Sequence, residues 1–220
     1  MIKARLLFRK EGRAQYISHL DLMHTMQRAF IRAGVRIRHT EGFNPHPYMS
    51  FLLPLPVGCE SVCELMDFDL EDGVDPVDVP QRLNDAAPEG ITAVEVYPRS
   101  RKGAELKWLR VEGILEYDAG VPEDACRKLS SLFAAETLKI RKRTKKGETE
   151  LDLSANTREI VFAPLSGHEV RLEAVISAQQ PSVNPGGLSE AIGLYAPALR
   201  PDYSHFRRLE VYDGGLSVFR

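Results

Sequence analysis

The sequence predicts an α+β protein of two ferredoxin-like halves packed together, each with an antiparallel sheet. Three observations predict it. The first 97 residues alternate between period-two and helical apolar patterns in the order β-α-β-β-α-β, which is the ferredoxin-like order. A basic, polar stretch then interrupts the apolar pattern, and beyond it the alternation restarts with extra strands. The expected boundaries are a first domain over 1–98, a linker over 99–108 and a second domain over 109–220.

The first half opens with a strand over Ala4–Lys10, closed by Glu11-Gly12. Ser18 offers an N-cap with Asp21 three residues on, and a helix follows to about Ala33. Its apolar stripe is Leu22, Met23, Met26, Ala29, Phe30 and Ala33, with Gly34 as the stop and His24, Arg28 and Arg32 outward. The period changes to two in Val35–Thr40, which predicts a second strand with Arg36 and Arg38 pointing out. Residues 51–58 are apolar but broken by Pro54 and Pro56, which suits an edge or bulged strand. Strands over Glu64–Leu70 and Ile91–Tyr97 flank a helix from Asp75 to about Ala87, with Pro76 in its first turn.

The second half reads as a strand over Leu109–Tyr117, a helix over Pro122–Ala135, and a hairpin of Thr137–Arg143 with Glu148–Leu153 around Gly147. Strands over Arg158–Ala163 and Glu169–Ser177, a short helix over Gly187–Tyr195 and a strand over Leu209–Tyr212 complete it.

At 220 residues the chain can bury cores without disulfides or metal. No apolar run approaches the roughly 18 residues a membrane helix needs, and the first residues enter a strand pattern, not a signal-peptide core. A cytoplasmic protein is expected. Three cysteines argue for reduced thiols over a secreted disulfide framework, with Cys126 expected in the core.

Net charge is −2, but it is unevenly distributed. Residues 1–50 carry nine Lys/Arg against three Asp/Glu, and residues 51–98 carry one Arg against eleven acids. A second basic cluster, residues 139–146, has six cations in eight positions, among them Lys139, Arg141 and Arg143. Distribution of this kind governs encounter with nucleic acid or acidic partners.

The segment Gly42-Phe43-Asn44-Pro45-His46-Pro47-Tyr48-Met49-Ser50-Phe51 is the most distinctive in the chain. Proline after Asn44 and after His46 pushes both residues out of the helical region and stiffens the loop. Phe43 and Tyr48 can stack on unpaired bases, Asn44 and His46 can contact base edges, and Arg28, Arg32, Arg36 and Arg38 stand near enough in sequence to take phosphates. Single-stranded RNA is the target that uses this combination. The plain alternative stays open: Phe43 and Tyr48 pack on the sheet and the arginines only solvate the surface.

Other chemistry is weakly supported. His19, His24, His39 and His46 cluster in sequence ahead of Cys59 and Cys63, but His19 and His24 fall ~140° apart around a helix and no second close cysteine pair follows. No metal or cofactor is expected. Ser18 reads as a helix cap, and no nucleophile elbow is present. Tyr16, His19 and His46 with nearby arginines meet the minimal needs of a metal-independent ribonuclease, a residue set too common to be specific. Gln179–Gly187 reads as an Asx-type turn entering the last helix.

Tyr16-Ile-Ser18-His19-Leu20-Asp21-Leu22, Arg32-Ala-Gly34, Gly42-Phe43-Asn44-Pro45-His46-Pro47 with Ser50-Phe51, and Leu53-Pro54-Leu55-Pro56-Val57-Gly58 with Glu60-Ser61 closely resemble the radical-SAM-linked protein family. The resemblance covers residues 1–97 and extends weakly through Pro181-Ser182-Val183-Asn184-Pro185. It implies a domain of unknown biochemical function, fused behind or encoded beside cobalamin-binding radical SAM proteins, often near a ribonuclease of the G type. It implies a partner and not a reaction. Cys59 and Cys63 depart from the family pattern.

The leading expectation is an accessory module, not an enzyme on its own, that holds a transfer or ribosomal RNA for a radical SAM partner. Two alternatives stand beside it. One is a metal-independent endoribonuclease using His19 and His46, by fold analogy with CRISPR repeat-processing enzymes. The other is a protein-interaction module in which the acidic 60–89 region docks the partner and no RNA is touched.

Overall fold

Strand β1 (Ile2–Lys10) alternates Ala4, Leu6 and Phe8 toward one face and Arg5, Leu7 and Arg9 toward the other. In the computed structural model, which describes residues 1–43, 45–144 and 147–220, β1 lies at the centre of an antiparallel sheet. It pairs with β3 (Cys59–Leu70) on one edge and β4 (Ile91–Pro98) on the other, and β2 (Met49–Phe51) runs along the far edge of β3. The order is β4-β1-β3-β2. Helices α1 (His19–Arg32) and α2 (Val79–Ala86) cover the Ala4, Leu6 and Phe8 face, where Met26, Phe30 and Leu83 meet Met66, Phe68 and Leu70. The α1 stripe holds Leu22, Met26, Ala29, Phe30 and Ala33 against the core as expected from their spacing, while Met23 stands at its margin, and Ser18 Oγ caps the Asp21 amide at 3.1 Å.

Residues Met1–Glu105, with Arg220, form one unit and Leu106–Phe219 a second. Residues 99–105, expected within a linker, are fastened to the first unit. Arg99 pairs with Asp69 at 3.4 Å, and the Arg101 carbonyl accepts from Arg5 Nη2 at 2.8 Å.

Three elements of this unit differ from expectation. Residues 35–40 form no strand: Ile37 bridges to Leu70 and His39 to Pro47, so successive residues serve two different partners. The apolar stretch 51–58 is not a strand either. β2 ends at Phe51, because Pro54 and Pro56 have no N–H with which to continue the ladder. Helix α2 begins at Val79, with Pro80 in its first turn, because Asp75 Oδ1 accepts the Val77 amide at 3.0 Å and closes an Asx turn around Pro76.

In the second unit β5 (Leu106–Glu116) is central, antiparallel to β9 (Glu169–Ser177) and to β10 (Tyr203–Asp213), with β8 (Thr157–Pro164) on the outer edge of β9. The order is β10-β5-β9-β8. Helix α3 (Ala125–Phe133) follows β5 and α5 (Gly186–Tyr195) follows β9. Between α3 and β8 lie a separate hairpin of β6 (Lys139–Thr144) with β7 (Gly147–Asp152) and the short α4 (Leu153–Asn156). Strand β10 starts six residues before the expected Leu209, because Phe206 and Arg208 are both buried and a buried arginine hides the period-two pattern. Phe206 lies opposite Gly113, where an added Cβ would approach its ring to 2.6 Å. Cys126 is half-buried and not in the core. Among the described residues no helix is long and apolar enough to cross a membrane.

Candidate functional site

The segment from Arg36 to Tyr48 is a hairpin hung on the end of β3, beyond its pairing with β2. The Arg38 amide donates to the Asp69 carbonyl at 2.8 Å and the Glu71 amide to the Arg36 carbonyl at 3.2 Å, which fixes the first arm. The second arm returns through Thr40 N–H to His46 O at 2.8 Å and Tyr48 N–H to Arg38 O at 2.7 Å. Thr40 Oγ1 also accepts the His46 amide at 3.1 Å and lies 3.0 Å from His46 Nδ1. His39 Nδ1–H donates to the Ile37 carbonyl at 3.1 Å. These bonds tie the two arms to each other and the first arm to β3.

At that tip Phe43 is fully exposed, and Tyr48 is 42% exposed on the second arm. The Arg38 guanidinium sits 5.8 Å from the Tyr48 ring centroid, within cation–π range. Asn44, named with these residues from the sequence, lies outside the described residues.

The expected cations divide into three kinds. Arg28 is exposed on α1 and has no partner among the described residues. Arg36 is exposed and Arg38 half-buried, and both are matched: Arg36 lies 4.0 Å from Glu71, and Arg38 lies 3.9 Å from Asp69 and 3.8 Å from Glu41. Arg32 bonds the Ala86 carbonyl through Nε at 3.2 Å and Nη2 at 2.6 Å. The acidic part of the sequence thus folds back onto the basic part. Charge windows counted along the chain miss this, because β3 brings residues 67–71 beside residues 36–38.

Tyr16, His19 and His46 face different neighbours. Tyr16 is exposed at the end of the turn Gly12–Tyr16, the His19 ring meets the Phe51 ring edge-on at 5.4 Å, and His46 turns to Thr40. Among the described residues no three His, Cys, Asp or Glu side chains gather as a metal site would require. Cys59 and Cys63 are both buried.

On the β6–β7 hairpin Lys139 pairs with Glu150 at 3.0 Å, which raises its ammonium above the usual lysine value, and Arg141 lies 4.0 Å from Glu148. The Arg143 side chain, with Lys145 and Lys146, lies outside the described residues. Lys142 reaches the Ser182 carbonyl at 2.5 Å and ties the hairpin to the turn before α5. In that turn Asn184 Oδ1 accepts the Gly186 amide at 3.0 Å, the Asx helix entry expected from the sequence.

One buried group was not singled out from the sequence. Lys10 is 1% exposed, and its ammonium donates to the carbonyls of Gln15 at 3.2 Å and Ile17 at 3.3 Å. Burial lowers its pKa, opposed by the charges of Glu64 and Cys59. Glu60 accepts the Gly12 amide at 2.6 Å and the Gly58 amide donates to Gln15 at 3.0 Å. Lys10, Gly58 and Glu60 therefore pin the turn that leads into Ser18 and α1. A lysine at an inward position of an apolar strand was the available signal.

Residues 3–185 match the family described as uncharacterized protein conserved in bacteria, DUF2344. The chain belongs to the DUF2344 family. The DUF2344 match spans the pinned turn, the 36–48 hairpin and the turn before α5. No curated protein matches the chain in sequence. Among solved structures it is similar to a chain of a Cbf5–Nop10–Gar1 complex, at 11% identity and a TM-score of 0.49, covering 94% of this chain and 48% of that one. A chain of the archaeal box H/ACA sRNP Nop10–Cbf5 complex matches at 12% identity and a TM-score of 0.45, with coverage of 93% and 46%. A chain of an H/ACA RNP bound to a substrate RNA containing 2'-deoxyuridine matches at 12% and 0.49, with coverage of 98% and 49%. This DUF2344 chain spans about half the length of the solved chains it matches. At TM-scores below 0.5 these likenesses establish neither a shared fold nor a shared function.

Proposed function

We propose that each unit is a ferredoxin-like fold and that the protein is a non-enzymatic module that holds RNA for a cobalamin-binding radical SAM partner. The strand orders β4-β1-β3-β2 and β10-β5-β9-β8 support the fold reading. In both, each β-α-β crossover steps over one central antiparallel strand. The partner rests on the family resemblance of the Ser18–Asp21 and Gly42–Phe51 motifs.

The observation that carries the RNA reading is Phe43, a fully exposed ring on a hairpin whose arms are bonded to each other and to β3. A preformed aromatic platform loses little freedom on binding, and base stacking is worth ~1–3 kcal/mol per base. Arg36 and Arg38 stand on the first arm of the same hairpin, and Arg28 stands on α1. Glu71 does not disable Arg36, because an exposed pair near 4 Å contributes only ~0–1 kcal/mol and exchanges readily for phosphate, whereas the Asp69 beside Arg38 is buried and shared with Arg99.

The test is fluorescence anisotropy of a labelled ten-nucleotide single-stranded RNA across a salt series. The logarithm of the affinity should fall linearly with log salt, and Phe43→Ala should weaken binding ~5- to 100-fold with no change in unfolding. Absence of binding, or binding indifferent to both salt and Phe43→Ala, rejects the reading. One observation favours protein docking instead: Glu41, Asp69 and Glu71 already face the two hairpin arginines. Co-purification of the radical SAM partner after nuclease treatment, with no RNA affinity, selects that reading.

A further inference from the structure

The second unit carries a cleft of about 930 Å³ between β6, α5 and the start of β10, and none of the residues named for RNA on the first unit lines it. Two aromatic rings face it. Tyr195 is 46% exposed, and its hydroxyl donates to the Lys139 carbonyl at 2.8 Å, so its ring is held against the wall. Tyr203, at the first position of β10, is 60% exposed.

Arg200 lines the same cleft. Its stem lies along Gly193, where an added Cβ would stand 3.4 Å from Arg200 Cδ, so the missing side chain makes room for it. Among the described residues its guanidinium has no hydrogen bond or ion pair. Arg141 also lines the cleft, and its ion-pair partner among the described residues is Glu148, at 4.0 Å.

The acids in the lining are Glu150, Glu190 and Asp202. Glu150 is taken up by Lys139, and Asp202 Oδ2 accepts the Asp118 amide at 2.8 Å. Glu190 is exposed and available to the N–H donors of a base edge.

From this set we infer that the cleft takes one nucleotide of a single-stranded RNA, its base against Tyr203 or Tyr195 and its phosphate on Arg200 and Arg141. The aromatic faces supply sequence-tolerant stacking, and the two guanidinium groups supply forked donors matched to phosphate oxygens. The inference rests on the RNA reading above and adds a second contact to it.

The experiment uses the full chain with the same ten-nucleotide RNA, and compares Tyr203→Ala, Tyr203→Phe, Arg200→Glu and Phe43→Ala. Tyr203→Ala and Arg200→Glu should each weaken binding ~5- to 100-fold, and Tyr203→Phe should restore it because the ring face is kept. RNA carrying 5-iodouridine should crosslink to Tyr195 or Tyr203. Full affinity in both Tyr203→Ala and Arg200→Glu overturns the cleft, and the RNA reading still stands if Phe43→Ala is weak. Weak cleft variants beside a normal Phe43→Ala keep the cleft and remove the hairpin. No binding by the unaltered chain removes both. Competition by free uridine monophosphate as strong as by the strand assigns the cleft to a free nucleotide and overturns the strand.

Discussion

Arg32 and Arg82 cap each other's helices. Arg82, on α2, donates to the Ala33 carbonyl at the end of α1 through Nε at 3.0 Å and Nη2 at 2.8 Å, and to the Gly34 carbonyl at 2.7 Å. Arg32, in the last turn of α1, returns two bonds to the Ala86 carbonyl at the end of α2. The last carbonyls of a helix lack intrahelical donors and sit at the negative end of its dipole, so a guanidinium satisfies both needs. Gly34, at φ +61°, lets the chain turn away so that Arg82 can reach the end of α1. The pairing also places Arg32 Nε and Nη2 on the Ala86 carbonyl, despite the residue's place in the basic N-terminal part.

Replacing Arg82 by Ala should lower stability by ~1–3 kcal/mol, since it strands carbonyls that accept charge-assisted bonds. Arg32→Ala, on a more exposed side chain, should cost less. Urea unfolding followed by circular dichroism measures both, and equal midpoints for Arg82→Ala and the unaltered chain would exclude the capping role.

Ser18 accepts the Asp21 amide at 3.1 Å and donates to its carboxylate at 2.7 Å. Ser18→Ala should therefore cost ~1 kcal/mol, and Ser18→Asn should retain most of the stability. Hydrogen exchange of the first-turn amides of α1 reads the difference directly.

Gly90 holds φ +85° where its carbonyl accepts the Glu11 amide at 2.8 Å, and an added Cβ would lie 2.5 Å from the Glu11 carbonyl oxygen. Backbone cannot yield as a flexible side chain can. In urea unfolding Gly90→Ala should destabilise by ~2–4 kcal/mol, whereas Gly42→Ala, with nothing within 4 Å, should cost only the strain of its own φ, and equal midpoints for the two variants would exclude the clash.

Burial pushes the Tyr97 phenol up to about 12 from 10.0, and its hydroxyl has no partner among the described residues. Between pH 10 and about 12 the unfolded chain gives up a proton that the folded chain keeps, so stability falls as pH rises. Tyr117, likewise raised to about 12 by burial, adds to the fall. Lys10 acts in the opposite sense, because its lowered pKa makes the folded state release a proton before the unfolded state does. Tyr97→Phe should be neutral at pH 7 and should flatten the alkaline loss. An unchanged pH profile would show that Tyr97 is not responsible.

Glu71 lies 4.0 Å from Arg36, so on the proposed RNA reading it would compete with phosphate for that guanidinium. Glu71→Gln should raise RNA affinity about two- to threefold at low salt, with the gain vanishing at high salt as screening removes both terms. A loss of affinity in this variant would mean that the acid, and not the arginine, faces the ligand.

The α1 stripe, the Ser18 cap, the Asn184 turn and most strands could be read from the chain, because each depends on neighbours within about four residues. Reading failed where distant partners decide. Residues 35–40 carry a strand's alternation, yet they divide between Leu70 and Pro47, and Arg208 disguises β10 by being buried. The same limit applies to the site. Phe43 and the prolines announced a shaped loop, but nothing local to Arg32, Arg36 or Arg38 says that Ala86, Glu71 and Asp69 stand beside them.

By itself, then, the sequence determined the α1 stripe, most of the strands and the backbone restriction that Pro45 and Pro47 impose, since backbone restriction and apolar period are properties of a few adjacent residues. Only the tertiary structure decided which cations are spent on carbonyls or carboxylates and which remain open, and that Arg200, Tyr195 and Tyr203 share one cleft. Ion pairing and cleft walls are made by residues far apart in the chain, brought together by strand pairing and helix packing that no local window contains.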